Sequence, residues 1–179
     1  GLFLEFGRVL LFRNPLHFSS LKSRWYPSAL GRRNSGGSSV LSIDVGVRRP
    51  LGASVSGIVL LAGLDEEAAQ RLTKSNATRL TLAGSSVAKV TKSVQSVREQ
   101  GYIYAEEGVM QSTSAVAVPI RDPQGQVVAA ISVAALSNRL SRKRVPAVVS
   151  AMQEHSSMIT RRLAELEKAR RHPSRTPSE

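Results

Sequence analysis

Residues 115–134 read AVAVPIRDPQGQVVAAISVA: two runs flanking a turn, with both faces of each run mainly apolar. A strand with one solvated face alternates apolar and polar residues, whereas one that is apolar throughout is covered on both sides. The chain therefore holds an antiparallel hairpin inside a layered domain, with Asp122, Pro123, Gln124 and Gly125 supplying its loop. Taking that loop as these four residues pairs Ile120 with Val127, Val118 with Ala129 and Val116 with Ile131 on one face. On the other face Ala117 meets Ala130, Ala115 meets Ser132 and Thr113 meets Ala134. The first face is branched and fills ordinary core. The second is a floor of small side chains, and dense packing requires something to approach it closely. A helix backbone settling on the alanines would do so, and so would a small ligand in a concave site. A slip of one residue in the pairing would exchange the two faces.

A chain of 179 residues amounts to one ordinary domain with or without tails. It has no cysteine, which excludes disulfides, thiolate metal sites and a cysteine nucleophile, and fits a reducing, cytoplasmic compartment. Its longest apolar stretch, LGASVSGIVLLAGL, is shorter than the roughly 20 residues a spanning helix needs, so no membrane association is expected. The formal net charge is +12, with basic residues gathered toward the two ends and a nearly balanced middle. Such a charge attracts polyanions, and it is equally what solvated helix faces and a basic tail produce.

Residues 1–39 form a poorly readable segment, taken as the front of the domain or a linker remnant. GLFLEFGRVLLFRNPLHF reads equally as helix or strand, and RRNSGGSS is a loop by its glycines and serines. The segment is rich in arginine and serine and poor in acids, as transit peptides also are. From residue 40 the signals sharpen, and residues 40–171 are expected to form the folded domain. VLSIDVG is a short strand, and RRPLGAS is extended, since Pro50 disfavours helix before it. SVSGIVLLAGL is a buried helix by its apolar spacing. Asp65 caps a second helix, DEEAAQRLTKS, whose early acids suit the positive end of the helix dipole. In SSVAKVTKSVQSVREQ, Val87, Val90, Val94 and Val97 recur at three to four residues, and Gly101 stops the helix. GYIYAEEGVMQSTS supplies a strand and a connection into the hairpin. Residues 141 to about 171 form a long closing helix striped by Val145, Val148, Val149, Met152, Met158, Ile159, Leu163 and Leu166. The stripe is either core or subunit interface, and the valines at Val145 and Val149 favour an interface. Residues 172–179 are expected to be a disordered tail.

DVGVRRPLGASVSGIVLLAGLDEEAAQRL, followed by VREQGYIYAEEGVMQSTSAVAVPIRDPQGQVVAAISVAALSNRL, resembles the C-terminal effector-binding domain of IclR-type bacterial transcriptional regulators. Four elements stand in the family's order over roughly residues 40 to 165. They are an Arg-Pro-Leu element, a small-residue segment opening an alanine- and leucine-rich helix, Arg-x-x-Gly-Tyr, and the hairpin with Ser-x-Arg-Leu after it. The resemblance implies an α+β (α/β) GAF-like domain: an antiparallel sheet with helices packed on it and a long C-terminal helix. It implies a cavity between the sheet and its covering segments that takes a small organic acid effector, and a homo-oligomer, dimer or dimer of dimers. Matched position by position, the family's pocket falls on Leu41, Arg49, Val55, Ser56, Ala105, Thr113, Ala115, Ser132 and Ala134. An acid common in the family at the position of Ala105 is missing, as is a second serine at Ala134, so the pocket is less polar than is usual. Operator DNA would be read by a winged helix-turn-helix, for which residues 1–39 have no room. The chain is thus expected to be the sensor half of such a regulator.

Other chemistry is poorly supported by the residues. Arg48 and Arg49 could clamp a carboxylate or form a solvated turn. His17, His155 and His172 are scattered without metal-ligand spacing, so no metal or cofactor is expected. No Gly-x-Ser-x-Gly elbow or phosphate loop is present, and the adjacent Glu106 and Glu107 point to opposite faces of an extended segment. Enzyme activity is therefore not expected. The alternative is a basic interaction module that binds nucleic acid or a protein partner without a small ligand. Such a module should carry aromatic stacking groups on a sheet face, and the hairpin has none.

Overall fold

The structure is a computed structural model, and it describes residues 8–13, 28–34, 50–106 and 112–171. A five-stranded antiparallel sheet has the order β2-β1-β5-β4-β3. The strands are β1 (Arg8–Arg13), β2 (Ser28–Asn34), β3 (Ile103–Ala105), β4 (Thr113–Arg121) and β5 (Val127–Leu136). Between β2 and β3 come α1 (Val55–Ala62), α2 (Glu66–Ser75), α3 (Ala77–Leu82) and α4 (Val87–Gln100). A 3-10 turn at Arg142–Arg144 leads into α5 (Val145–Arg171).

The ambiguous N-terminal run is resolved as strand: β1 pairs with β5 and with β2, so the front of the chain completes the sheet. The expected strand VLSIDVG, the pair Arg48 and Arg49, and the tail 172–179 lie outside the described residues. From Pro50 the chain turns rather than running extended. Ala53 N–H donates to Pro50 O, with Gly52 at φ +93, a conformation that favours glycine.

Three of the four expected helices start at a side-chain cap. Ser54 accepts from Gly57 N–H, Asp65 from Ala68 N–H and Ser86 from Lys89 N–H. Gly101, at φ +79, ends α4 in the left-handed region. Ser54→Ala removes the only side-chain cap of α1 and is expected to cost about 1 kcal/mol, read by denaturant unfolding. The short α3 was not anticipated, because its six residues bury only Leu80 and show no stripe.

The two faces of the hairpin bury different cores. Val116, Val118 and Ile120 of β4, with Ile131, Val133 and Ala135 of β5, pack against Val145, Val148, Val149 and Met152 of α5. Val145 and Val149 are thus buried within the domain and do not present the interface expected of them. Met158 and Leu166, also expected in the stripe, are 52% and 48% exposed. Ala117, Ala130 and Val127 face the other way, into a core built from Leu51, Val59, Leu60 and Leu61, Leu72, Leu80, and Val90, Val94 and Val97.

The register differs from the expected one by two residues: Val118 opposes Ile131, Val116 opposes Val133, and Ala115 opposes Ala134. Two events account for it. The loop takes in Gln126 as well, closed by Asp122 N–H to Gln126 O and by Asp122 Oδ1 accepting from the Gln124 and Gln126 amides. A bulge between Ile120 and Arg121 adds a second residue to β5, so Val128 and Ala129 both pack on the α5 side while Val127 turns to the other. Either event alone would have exchanged the faces beyond the bulge. Together they restore the parity, so both face assignments hold except that Val127 moves from the branched face to the small one.

Candidate ligand site on the small-residue face

Directly opposed residues in the ladder emerge on one side of a sheet, so the register lays out this face in rows. Ala105, Ala115 and Ala134 form one row across three strands. Ile103, Ala117 and Ser132 form the next toward the hairpin loop, followed by Pro119 with Ala130. In the opposite direction Thr113 pairs with Leu136. Strand β1, on the other side of β5, continues two of these rows, with Arg8 at the register position of Ala134 and Leu10 at that of Ser132.

Helix α1 does settle on this face. Its C-terminal Gly63 lies against Val127, and Ala117 and Ala130 are wholly buried in the core that α1 shares. The row beyond behaves differently: Ala105, Ala115 and Ala134 are only half-buried. The small side chains therefore have two uses. Under α1 they allow close approach of a helix, and past Ser132 they leave a shallow floor.

Two hydroxyls mark this region. Ser56, in the first turn of α1, is 1% exposed, and Ser132 is 3% exposed; neither side chain has a hydrogen-bond partner among the described residues. A buried hydroxyl without a partner costs about 1–3 kcal/mol, so native structures rarely keep one for nothing. Thr113 is likewise buried, but its hydroxyl is not among these free groups. Val55 packs against the α1 core. Five of the nine candidate residues thus share one face, Val55 and Ser56 belong to the helix covering it, and Leu41 and Arg49 lie outside the described residues. Leu136 was missed. Its signal was a large apolar residue two positions beyond Ala134, at the parity of the floor.

The opposite side of the same strands is the apolar core under α5, and at its end a cluster of polar groups is hydrogen-bonded. Ser114 Oγ donates to Glu106 O at 2.7 Å and lies 3.0 Å from Ser137 Oγ. Tyr104 Oη donates to Leu140 O at 3.1 Å, and Ser137 N–H to Ser112 O at 2.9 Å. Arg142 grips Glu106 Oε2 through Nε and Nη2 at 3.0 and 2.9 Å, a pairing that raises the guanidinium pKa further. These contacts bolt the ends of the hairpin to the turn that opens α5. Far from the floor, Arg98 donates to the carbonyls of Ala62 and Leu64 and to Glu66, holding the end of α1 to α4. The Glu66 carboxyl is held below the usual range, by Gln70 first and then by Arg98. Among the described residues no group of acids and histidines is placed to hold a metal, and no helix is long and apolar enough to cross a membrane.

Residues 34–161 match the family model described as bacterial transcriptional regulator IclR, C-terminal. The chain belongs to the IclR family. No curated protein matches it. Among solved structures, Thermotoga maritima IclR superposes with a TM-score of 0.75 at 18% identity, covering 89% of this chain and 62% of that one. The Agobacterium tumefaciens repressor BlcR gives 0.72 at 17%, covering 89% and 60%. An IclR homologue from Microbacterium hydrocarbonoxydans, solved with 4-hydroxybenzoate, gives 0.70 at 22%, covering 89% and 61%. This chain thus spans about six-tenths of each of these relatives. The fold is the α+β, GAF-like domain that the motifs implied, and it corresponds to the C-terminal domain of the family's transcriptional regulators.

Proposed function

We propose that this IclR-family domain senses a small organic acid, held over the Ala105, Ala115 and Ala134 row with Ser132 and Ser56 as hydrogen-bond donors. The observation that carries the reading is Ser132, a buried, partnerless hydroxyl one row from the half-buried alanines, with Ser56 a second such hydroxyl on the helix that covers the same face. A carboxylate satisfies both hydroxyls at once, while the alanines admit an apolar body close to the sheet. The 4-hydroxybenzoate carried by one relative is such a molecule. In the whole regulator, an effector with greater affinity for one arrangement of this domain shifts the population toward it. An attached winged helix-turn-helix then reads operator DNA in the altered state, within a dimer or dimer of dimers. The role is binding, not catalysis.

The test is a thermal-shift and calorimetric panel of carboxylic acids. An aromatic carboxylate is expected to raise the melting temperature, and Ser132→Ala to weaken binding about tenfold, the worth of one hydrogen bond to a charged group. No stabilisation by any acid at millimolar concentration, together with a salt-dependent shift of duplex DNA by this chain, would favour the basic interaction module instead.

A further inference from the structure

Among the residues whose burial is described, Leu82, Met158 and Leu166 are large exposed apolar side chains on helices, and Leu136 is one on β5. Leu136 is 44% exposed and pairs with Thr113, which places it on the small-residue face, one row past Ala115 and Ala134. On that face it breaks a β5 run of Ala130, Ser132 and Ala134. A leucine under the covering helix would be buried; this one stands half-exposed in line with the half-buried alanine row and the free Ser132 hydroxyl. We propose that Leu136 is the residue with which this site measures the length of its guest, selecting acids that carry a ring or a comparable apolar body. The inference rests on the floor being the ligand site.

Geometry sets the length. Ser132 and Leu136 stand four residues apart on one strand, which is about 13 Å at roughly 3.3 Å per residue. A hydrogen bond to the hydroxyl takes about 2.8 Å of that span, and an apolar contact with the leucine about 4 Å. About 6 Å remains for the guest, the reach of a six-membered ring bearing a carboxyl group or of a six-carbon acid. A two-carbon acid anchored at Ser132 cannot reach Leu136. The alanine row lies between the two ends, where a flat ring can rest on the methyl groups.

The experiment compares benzoate, cyclohexanecarboxylate and hexanoate with acetate and glyoxylate, by calorimetry on the full chain and on Leu136→Ser and Leu136→Met. The unliganded melting temperature serves as the control for folding, since Leu136 lies outside both buried cores. The longer acids are expected to bind the unaltered chain more tightly than the two-carbon acids. Leu136→Ser is expected to weaken the longer acids about tenfold and leave the short ones unchanged, with Leu136→Met restoring most of the difference. Equal affinity for long and short acids, or an equal effect of Leu136→Ser on both, overturns the inference while leaving the floor as a site. If no acid binds the unaltered chain, the floor itself is not a ligand site and the inference falls with it.

Discussion

Ala115→Leu is expected to abolish acid binding, by 100-fold or more (about 2.7 kcal/mol), while the domain stays folded. Ala115 sits in the middle of its row, flanked by Ala105 on β3 and Ala134 on β5 at the usual strand spacing of about 4.8 Å. Three added carbons at that point rise into the volume above all three methyl groups. The position is half-buried rather than packed, so the new side chain takes the guest's place instead of displacing core. The unliganded melting temperature should therefore hold or rise, because apolar area is newly covered. Calorimetry with benzoate on both proteins reads the first effect and a thermal scan the second. Undiminished affinity in Ala115→Leu would mean that the guest binds elsewhere.

The second large effect concerns Gly63, immediately after α1. Its φ of −79 is open to any residue, and Gly→Ala at such a position ordinarily stabilises by about 0.4–1 kcal/mol. Here the sign reverses. A methyl group on Gly63 would lie 2.6 Å from Cγ2 of Val127 and closer still to its Cβ. Neither neighbour can move freely, since Val127 is the first residue of β5, beside the bulge, and is itself buried in the core. Gly63→Ala is expected to cost about 1–3 kcal/mol in urea unfolding, the range for overpacked cores. Val127→Ala in the same chain should recover much of the loss, a coupling that a double-mutant cycle measures. A neutral or stabilising Gly63→Ala would show that α1 does not rest on the sheet at this point.

Sequence reasoning succeeded where a period was uninterrupted. The division of the hairpin into a branched and a small face follows from alternation alone and survived a two-residue error in register, because a loop residue and a bulge residue cancelled in parity. The bulge itself left no mark: Val127, Val128 and Ala129 are similar enough that nothing in their order says which one is added. The closing helix was legible as a helix, but Met158 keeps the apolar spacing while facing outward, although Ile159 and Thr160 beside it still meet the core and β4, and spacing alone does not say which edge of the stripe is covered. In the N-terminal run, apolar residues occur at both helical and strand spacings, so the sheet partner, not the local sequence, decides its form. The family's motifs located seven described residues on or over the face. The unsatisfied state of two hydroxyls and the exposure of Leu136 are properties of packing, which no spacing encodes.

Helix α5 holds 27 residues and is therefore about 40 Å long at roughly 1.5 Å per residue. The bolts from Ser114, Ser137 and Arg142 grip the chain just before its first turn, and Thr160 Oγ1 donates to Arg121 O partway along. Ser156 Oγ also donates to Pro119 O, so the rod is held to β4 over more than half its length and its last turns extend beyond the final tie to that strand at Thr160. Because Thr113 and Ala115 border the floor while Ser114 and Val116, between and after them, belong to the α5 side, β4 is a single strand shared by both layers, with no other element between the floor and the rod.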